Sequence, residues 1–295
     1  MTSEVDIGAM RETVARHFPE LAALKVSVRT QGWDSLALDV GDRFIFKFPR
    51  SPNAEQALGR EARLLAVVRN HVSMPVPDLT LYDGPPVFSR HSKIPGDHLL
   101  TEHYDRLTDA ERATLADQLA CFYAQMHAIS EGEVAAAGAR PIKAWLSPDD
   151  VLRKVRPVLP DGLRAFAERA IADWAALPPD PHGTTYGFFD GHGWNMAFDH
   201  ERGRLNGIYD FADSGFGSLQ QEFVYSNLIA RDLTARIIDA YERMTGRAID
   251  RQRVAILTAA HRLSELAEFA HDAELRPMLL QFLARWVDSG RIASD

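Results

Sequence analysis

Gly187-Phe188-Phe189-Asp190-Gly191-His192-Gly193-Trp194-Asn195-Met196-Ala197-Phe198, followed closely by Gly207-Ile208-Tyr209-Asp210-Phe211-Ala212-Asp213, is the stretch around which the chain is organised. It sets two carboxylates and one amide beside apolar runs, with Asp190 and Asn195 in the spacing D-x-x-x-x-N. Short apolar runs bounded by Gly, Asn and Asp have the form of short strands. Two of them can form a hairpin with Asp199 to Asn206 as its turn, which would gather Asp190, Asn195 and Asp210 at one end of the sheet. An Asp and an Asn meeting at one point suit a hard cation such as Mg2+, which takes oxygen ligands and needs few carboxylates beside phosphate oxygens. A further Asp close by can serve as a base. The expectation is a phosphoryl-transfer site. Any one of these residues alone would be an ordinary turn former, so the trio needs a nucleotide-binding half elsewhere in the chain.

The first hundred residues have the pattern for one. Ile7 to Leu24 carries apolar residues at helical spacing. Then Val26–Arg29, Ser35–Val40 and Arg43–Phe48 alternate like strands, with Gly41-Asp42 as a hairpin turn. Alternation along the third strand sets Phe44, Phe46 and Phe48 on one face and Lys47 on the other. A helix is expected from Ala54 to Asn70, with Glu61 inside it. Met74-Pro75-Val76-Pro77 is extended, and Pro86 to Gly96 is a strand running into a loop.

These residues together resemble the aminoglycoside phosphotransferase family of the protein-kinase-like superfamily. Asp190, Asn195 and Asp210-Phe211-Ala212 fill the places of the catalytic-loop Asp, the catalytic-loop Asn and the metal-loop Asp. Lys47-Phe48-Pro49-Arg50 and Glu61-Ala62-Arg63-Leu64-Leu65 match the family's strand and "E-x-x-L-L" helix, Ile94-Pro95-Gly96 its "I-P-G" segment, and Tyr241 to Gly246 its "Y-x-x-x-T-G" segment. The resemblance spans nearly the whole chain.

It implies an α+β, bilobal kinase-like fold. Residues 1–95 would form a nucleotide-binding lobe with an antiparallel sheet and one helix, and residues 96–295 a larger, mainly helical lobe carrying catalysis and substrate binding. Asp190 would be the catalytic base, and Asn195 and Asp210 would hold Mg2+. Lys47 would reach the phosphates of ATP or GTP, with Glu61 holding Lys47. The turn Gln31 to Ser35 would lie over the phosphates, and backbone groups near His91 and Lys93 would meet the base. The acceptor would be a small-molecule hydroxyl, such as that of an aminoglycoside-type antibiotic, and not a protein, because no A-P-E segment follows Asp210. Glu265, Glu268 and Asp272, spaced to share a helix face, would bind a cationic substrate; the alternative is a solvated face.

Several positions depart from the family pattern. Phe188-Phe189 replaces the usual His-Gly before the catalytic Asp, and Phe188 could pack on Phe211 instead. His192 is expected to orient the loop. Trp194 is either packing or a wall of the substrate pocket. Glu222 stands where a bracing Asp is usual, with a longer side chain that cannot bond in the same way. A non-catalytic, pseudokinase-like nucleotide-binding module is the competing expectation.

Composition narrows the remaining classes. Over 295 residues, 46% hydrophobic and 25% charged content indicates a chain with real cores, not a disordered one. A net charge of −8 disfavours nucleic acid and suits a cationic small partner. The single cysteine, Cys121, excludes an internal disulfide and fits a reducing compartment. With no apolar run of membrane-spanning length, a cytoplasmic location is expected. Beyond the first lobe, helices are expected from a capping box at Thr108 and Glu111, over Pro148–Leu159 and Leu163–Leu177, and through Phe223–Ser289, while Gly132–Arg140 is expected to be loop or frayed helix.

Overall fold

The computed structural model describes residues 7–29 and 35–292. The first part is an antiparallel sheet flanked by two helices. Helix α1 (Ile7–His17) precedes strands β1 (Val26–Arg29), β2 (Ser35–Val40) and β3 (Phe44–Pro49), then helix α2 (Pro52–Val68) and strands β4 (Thr80–Tyr82) and β5 (Phe88–Ser92). The strand order is β1-β2-β3-β5-β4, with every neighbour antiparallel. The β2–β3 connection is tight because Gly41 and Asp42 both take positive φ, 65° and 56°, the conformation that matches strand twist in a short hairpin.

The two faces of this sheet differ as the alternation requires. Leu36, Leu38, Val40, Phe46 and Phe48 are buried together with Val14, Phe18 and Leu21 from α1 and the turn after it. That face is closed by α1. The other face carries Lys47 and meets α2. Ser51 caps α2 by accepting from the Ala54 N–H at 3.2 Å, and Pro52 opens its first turn. Leu64, Leu65 and Val68 of α2 are buried in the large core of the helical remainder, so α2 joins the sheet to the rest of the molecule.

The remainder contains α3 (Thr101–Tyr104), α4 (Asp109–Met126), α5 (Glu131–Ala136), α6 (Pro148–Val155) and α7 (Asp161–Ala175). Four short strands follow: β6 (Thr184–Gly187), β7 (Met196–Asp199), β8 (Arg204–Ile208) and β9 (Gly215–Ser218). A 3-10 segment (Leu219–Leu228) leads to α8 (Arg231–Thr245), α9 (Arg251–Glu268) and α10 (Leu275–Ile292). Strands β7 and β8 are the expected hairpin, and β6 pairs with β9 around it. The capping box holds: the Glu111 N–H donates to Thr108 Oγ1 at 3.3 Å and the Thr108 N–H to Glu111 Oε2 at 2.8 Å. Helices α4 and α8 and the short strands share the large core, and α6, α7, α9 and α10 share a second one. Among the described residues no helix is long and apolar enough to cross a membrane.

Two expectations are corrected. The first helix stops at His17, not Leu24, because Pro19 starts a separate 3-10 turn. The stretch expected as loop or frayed helix holds the short helix α5 up to Ala136. Helix α9 ends at Glu268 with Phe269 as its C-cap. Asp272 therefore lies beyond the helix, and Glu265, Glu268 and Asp272 do not share one helical face.

Candidate active site

The site is assembled where the Lys47 face of the sheet meets the β7–β8 hairpin. On β3, Lys47 pairs with Ala37 of β2 and Ser89 of β5. Its ammonium donates to Glu61 Oε1 at 3.0 Å and to Asp210 Oδ1 at 3.1 Å. Glu61 is 3% exposed on α2 and accepts a second bond, from the Phe211 N–H at 3.1 Å. One buried carboxylate thus ties the sheet lysine to the backbone that follows Asp210. A buried charge is tolerated only when paired and hydrogen-bonded, and here both conditions hold. Burial by itself would lower the Lys47 pKa, but Asp210 and then Glu61 outweigh it and hold the amine above its ordinary value. The same amine, first among its neighbours, holds Asp210 below the usual carboxylate range.

The other half is the loop between β6 and β7. The Asn195 amide donates to Asp190 Oδ2 at 2.6 Å and to the Asp190 carbonyl at 3.1 Å. His192 Nε2 lies 3.1 Å from Asp190 Oδ1. Burial pulls the imidazole down, yet the Asp190 charge and hydrogen bond, with Glu265 and Asp210 further off, raise its pKa overall. The hairpin links this half to the first: the Tyr209 N–H donates to the Asn195 carbonyl at 3.0 Å, one residue before Asp210. Phe189 and Asp210 both adopt positive φ, 53° and 67°. Non-glycine residues in that region are strained, and such residues cluster at functional sites.

Both halves are braced from below. Glu222 is fully buried, and its two carboxylate oxygens accept from the N–H groups of Phe188 and Phe189, each at 2.8 Å. His127 Nε2 lies 3.3 Å from Glu222 Oε2, and its Nδ1 is 2.8 Å from the Tyr241 hydroxyl. The longer glutamate therefore spans two adjacent amides of the loop. Phe188 packs at a tilt of 51° against Phe211, ring centroids 4.8 Å apart, so an aromatic contact supports the segment that follows Asp210. Gly187 is needed here, because a Cβ would strike Glu222 Oε2. Gly193 is needed too: its Cβ would run into the Leu99 carbonyl oxygen, a backbone atom that cannot step aside. Gly193→Ala is expected to displace Asn195 and to lower kcat by about 100-fold, measured by steady-state kinetics beside a thermal melt.

The remaining candidates fall into two groups. Ser35 opens β2 opposite Pro49, two residues along from the Ala37–Lys47 pair and on the same face. His91 pairs with Ile45, which puts it on the Lys47 face as well. It is buried, its Nδ1–H donates to the Ser92 carbonyl at 2.9 Å, and burial pushes its pKa down to about 4. The rest of the turn expected over the phosphates, Gln31 to Asp34, lies outside the described residues. Lys93 is differently occupied. Its ammonium bonds Asp39 at 2.7 Å and also Asp42, and its N–H donates to the Arg43 carbonyl at 2.8 Å. That N–H is therefore committed within the protein. The three C-terminal acids are also engaged. Glu265 lies 3.4 Å from His261 and 3.7 Å from Arg262, Glu268 binds Lys143 at 2.6 Å, and Asp272 caps the start of α10 through the Glu274 and Leu275 amides.

The donor set fits Mg2+. Among the described residues no group of three His, Cys, Asp or Glu is placed to hold a metal. One Asp and one Asn need no third protein ligand when phosphate oxygens complete the shell. Asn195 directs its amide nitrogen to Asp190, so Oδ1 is the atom it would offer a cation.

Comparison with known proteins gives the family and the fold. The model of the phosphotransferase enzyme family matches residues 25–257. Among solved structures, a GDP complex of a point mutant of aminoglycoside 2'-phosphotransferase-IIIa is similar over 97% of this chain and 99% of that one, with a TM-score of 0.82 and 20% identity. The GDP and kanamycin complex of APH(2")-IIIa is similar over 95% and 99%, at TM-score 0.78 and 18% identity. The macrolide 2'-phosphotransferase MphH from Brachybacterium faecium is similar over 94% and 97%, at TM-score 0.64 and 20% identity. These likenesses establish the kinase-like α+β fold.

Proposed function

Because this chain belongs to the phosphotransferase enzyme family, we propose that it is a small-molecule kinase moving the γ-phosphate of ATP or GTP to a hydroxyl group. The observation that carries the reading is the amine of Lys47, bridged to Glu61 and Asp210 at 3.0 and 3.1 Å, beside a hairpin that fastens Asp210 to the Asn195–Asp190 pair. The GDP complexes among the similar structures support a purine nucleotide as partner. On the same reading, residues 1–95 bind the nucleotide and residues 96–295 carry the base and the acceptor.

Phosphoryl transfer depends on positioning and charge neutralisation more than on covalent chemistry. Lys47 is held charged and aimed by Glu61, so it can bind phosphate oxygens. Asn195 and Asp210 are the residues that would hold Mg2+. The cation, when bound, supplies neutralisation of charge between the transferred and departing phosphates. Asp190 takes or orients the proton of the acceptor hydroxyl, with one oxygen fixed by Asn195 and the other by His192.

A direct test is consumption of ATP and GTP with Mg2+ over a panel of aminoglycosides, macrolides and simple amino alcohols, read as ADP or GDP formed. Lys47→Met is expected to weaken nucleotide binding at least about tenfold in titration calorimetry. The same change leaves Glu61 buried without its amine, so stability should fall by about 3 kcal/mol, the low end for a broken buried pair because Asp210 is half-exposed.

A further inference from the structure

We infer that Trp194 is an acceptor-specificity residue, and that the acceptor is recognised through the apolar face of a ring and not through an array of ammonium groups. The inference rests on the proposed kinase function and names the substrate class of that same site.

The first observation is an aromatic ledge built onto the catalytic segments. Trp194 sits one residue before Asn195, yet 45% of it is exposed, whereas its neighbours Gly193 and Asn195 are buried. The indole packs against His98 at a tilt of 53°, ring centroids 4.7 Å apart. The Tyr209 hydroxyl lies 3.0 Å from His98 Nδ1, so the residue preceding Asp210 supports the same ring. His98 is itself fixed on both sides. The Asp97 and Phe198 backbones exchange hydrogen bonds at 2.9 and 2.8 Å, and the Leu99 N–H donates to the Gly193 carbonyl at 3.0 Å. The ring that contacts the indole is therefore set on a backbone fixed by these bonds, which lowers the ordering cost of a ligand placed against Trp194. The half-open indole stands one residue from Asn195, in the segment that also carries Asp190.

The second observation is independent. Of the three acids expected to receive a polycation, Glu268 and Asp272 are hydrogen-bonded within the protein, and Glu265 lies 3.4 and 3.7 Å from His261 and Arg262 with no hydrogen bond to either. Glu265 faces Arg262 and His261, Glu268 pairs with Lys143, and Asp272 caps α10. A polycationic acceptor would have to break these contacts, while an acceptor with an apolar ring face would need only the ledge.

The test compares two acceptors, the polycation kanamycin and a macrolide glycoside carrying a single amine, in wild type, Trp194→Gly and Trp194→Phe. The expected result is a higher kcat/KM for the macrolide glycoside in wild type, with a KM that changes little between low and high salt. Its KM should rise about 10- to 100-fold in Trp194→Gly, the scale of losing a buried aromatic contact. Trp194→Phe should recover most of that loss, and the effect should fall on acceptor KM more than on kcat. Preference for kanamycin, with a KM that climbs steeply with salt and no response to Trp194→Gly, would overturn the inference and leave the kinase function standing. Wild type that consumes no nucleotide with either acceptor overturns the function and the inference with it.

Discussion

Asp190→Ala is expected to lower kcat by about a hundred- to ten-thousand-fold, the range in which a positioned base contributes, while Mg2+-nucleotide binding persists. The split follows from where the contacts lie. Nucleotide phosphates would be held by Lys47, itself aimed by Glu61 and adjoining Asp210, and none of these bonds involves Asp190. Asp190 contacts Asn195 and His192, so its loss removes the acceptor-side oxygen and frees one Asn195 donor. Asp190→Asn preserves size and keeps an oxygen for the hydroxyl, but it removes the charge that draws the proton, and it should be nearly as slow. Steady-state kinetics and calorimetric titration of the nucleotide, run on both variants, separate the two effects.

Glu222→Ala is expected to cost about 2–6 kcal/mol of stability. The estimate is two buried backbone donors left without partners, at about 1–3 kcal/mol each. Those donors are the N–H groups of Phe188 and Phe189, in a segment where Phe189 already holds a strained positive φ. The space left by the side chain is lined by Gly187, Phe189 and His127, and little there can move in to substitute. Glu222→Gln should fall in between: its oxygen can accept one amide, while its NH2 group faces the other donor. Chemical denaturation gives the stability, and the same variants should lose activity faster than they lose fold, because the braced segment leads directly into Asp190.

How far the sequence could be read depended on whether local pattern or distant pairing decided each element. Strands β1 and β2 and the capping box of α4 follow from alternation and from turn and cap chemistry, and all were legible. So was the opposition of Lys47 to the phenylalanine face, since a two-residue period leaves no other choice. Strands β6 and β9 were not legible. They pair across separations of 34 residues at Thr184↔Ser218 to 28 at Gly187↔Gly215, and β9 contains two glycines that no propensity would assign to a strand. The end of α9 was also hidden. No Gly or Pro marks it, so Glu265, Glu268 and Asp272 looked like one continuous face. Positive φ at Phe189 and Asp210 has no residue signature either, because tertiary contacts impose it. The Glu222 brace was visible only as a departure from the family pattern. Its fit became clear once both of its oxygens could be placed against adjacent amides. The ledge partners His98 and Tyr209 were missed; the only signal for them was an aromatic residue set next to each anchor of the site.

The most direct test of the central claim is phosphorus NMR of wild type mixed with Mg2+, ATP or GTP and a hydroxyl acceptor. The account predicts loss of the γ-phosphate resonance, growth of nucleoside diphosphate and a new phosphate monoester on the acceptor, with all three changes absent in Asp190→Ala and after chelation of Mg2+. Nucleotide that binds with a full thermal shift, yet yields no monoester with any acceptor in the aminoglycoside, macrolide and amino-alcohol panel, would contradict it and identify the chain as a binding module.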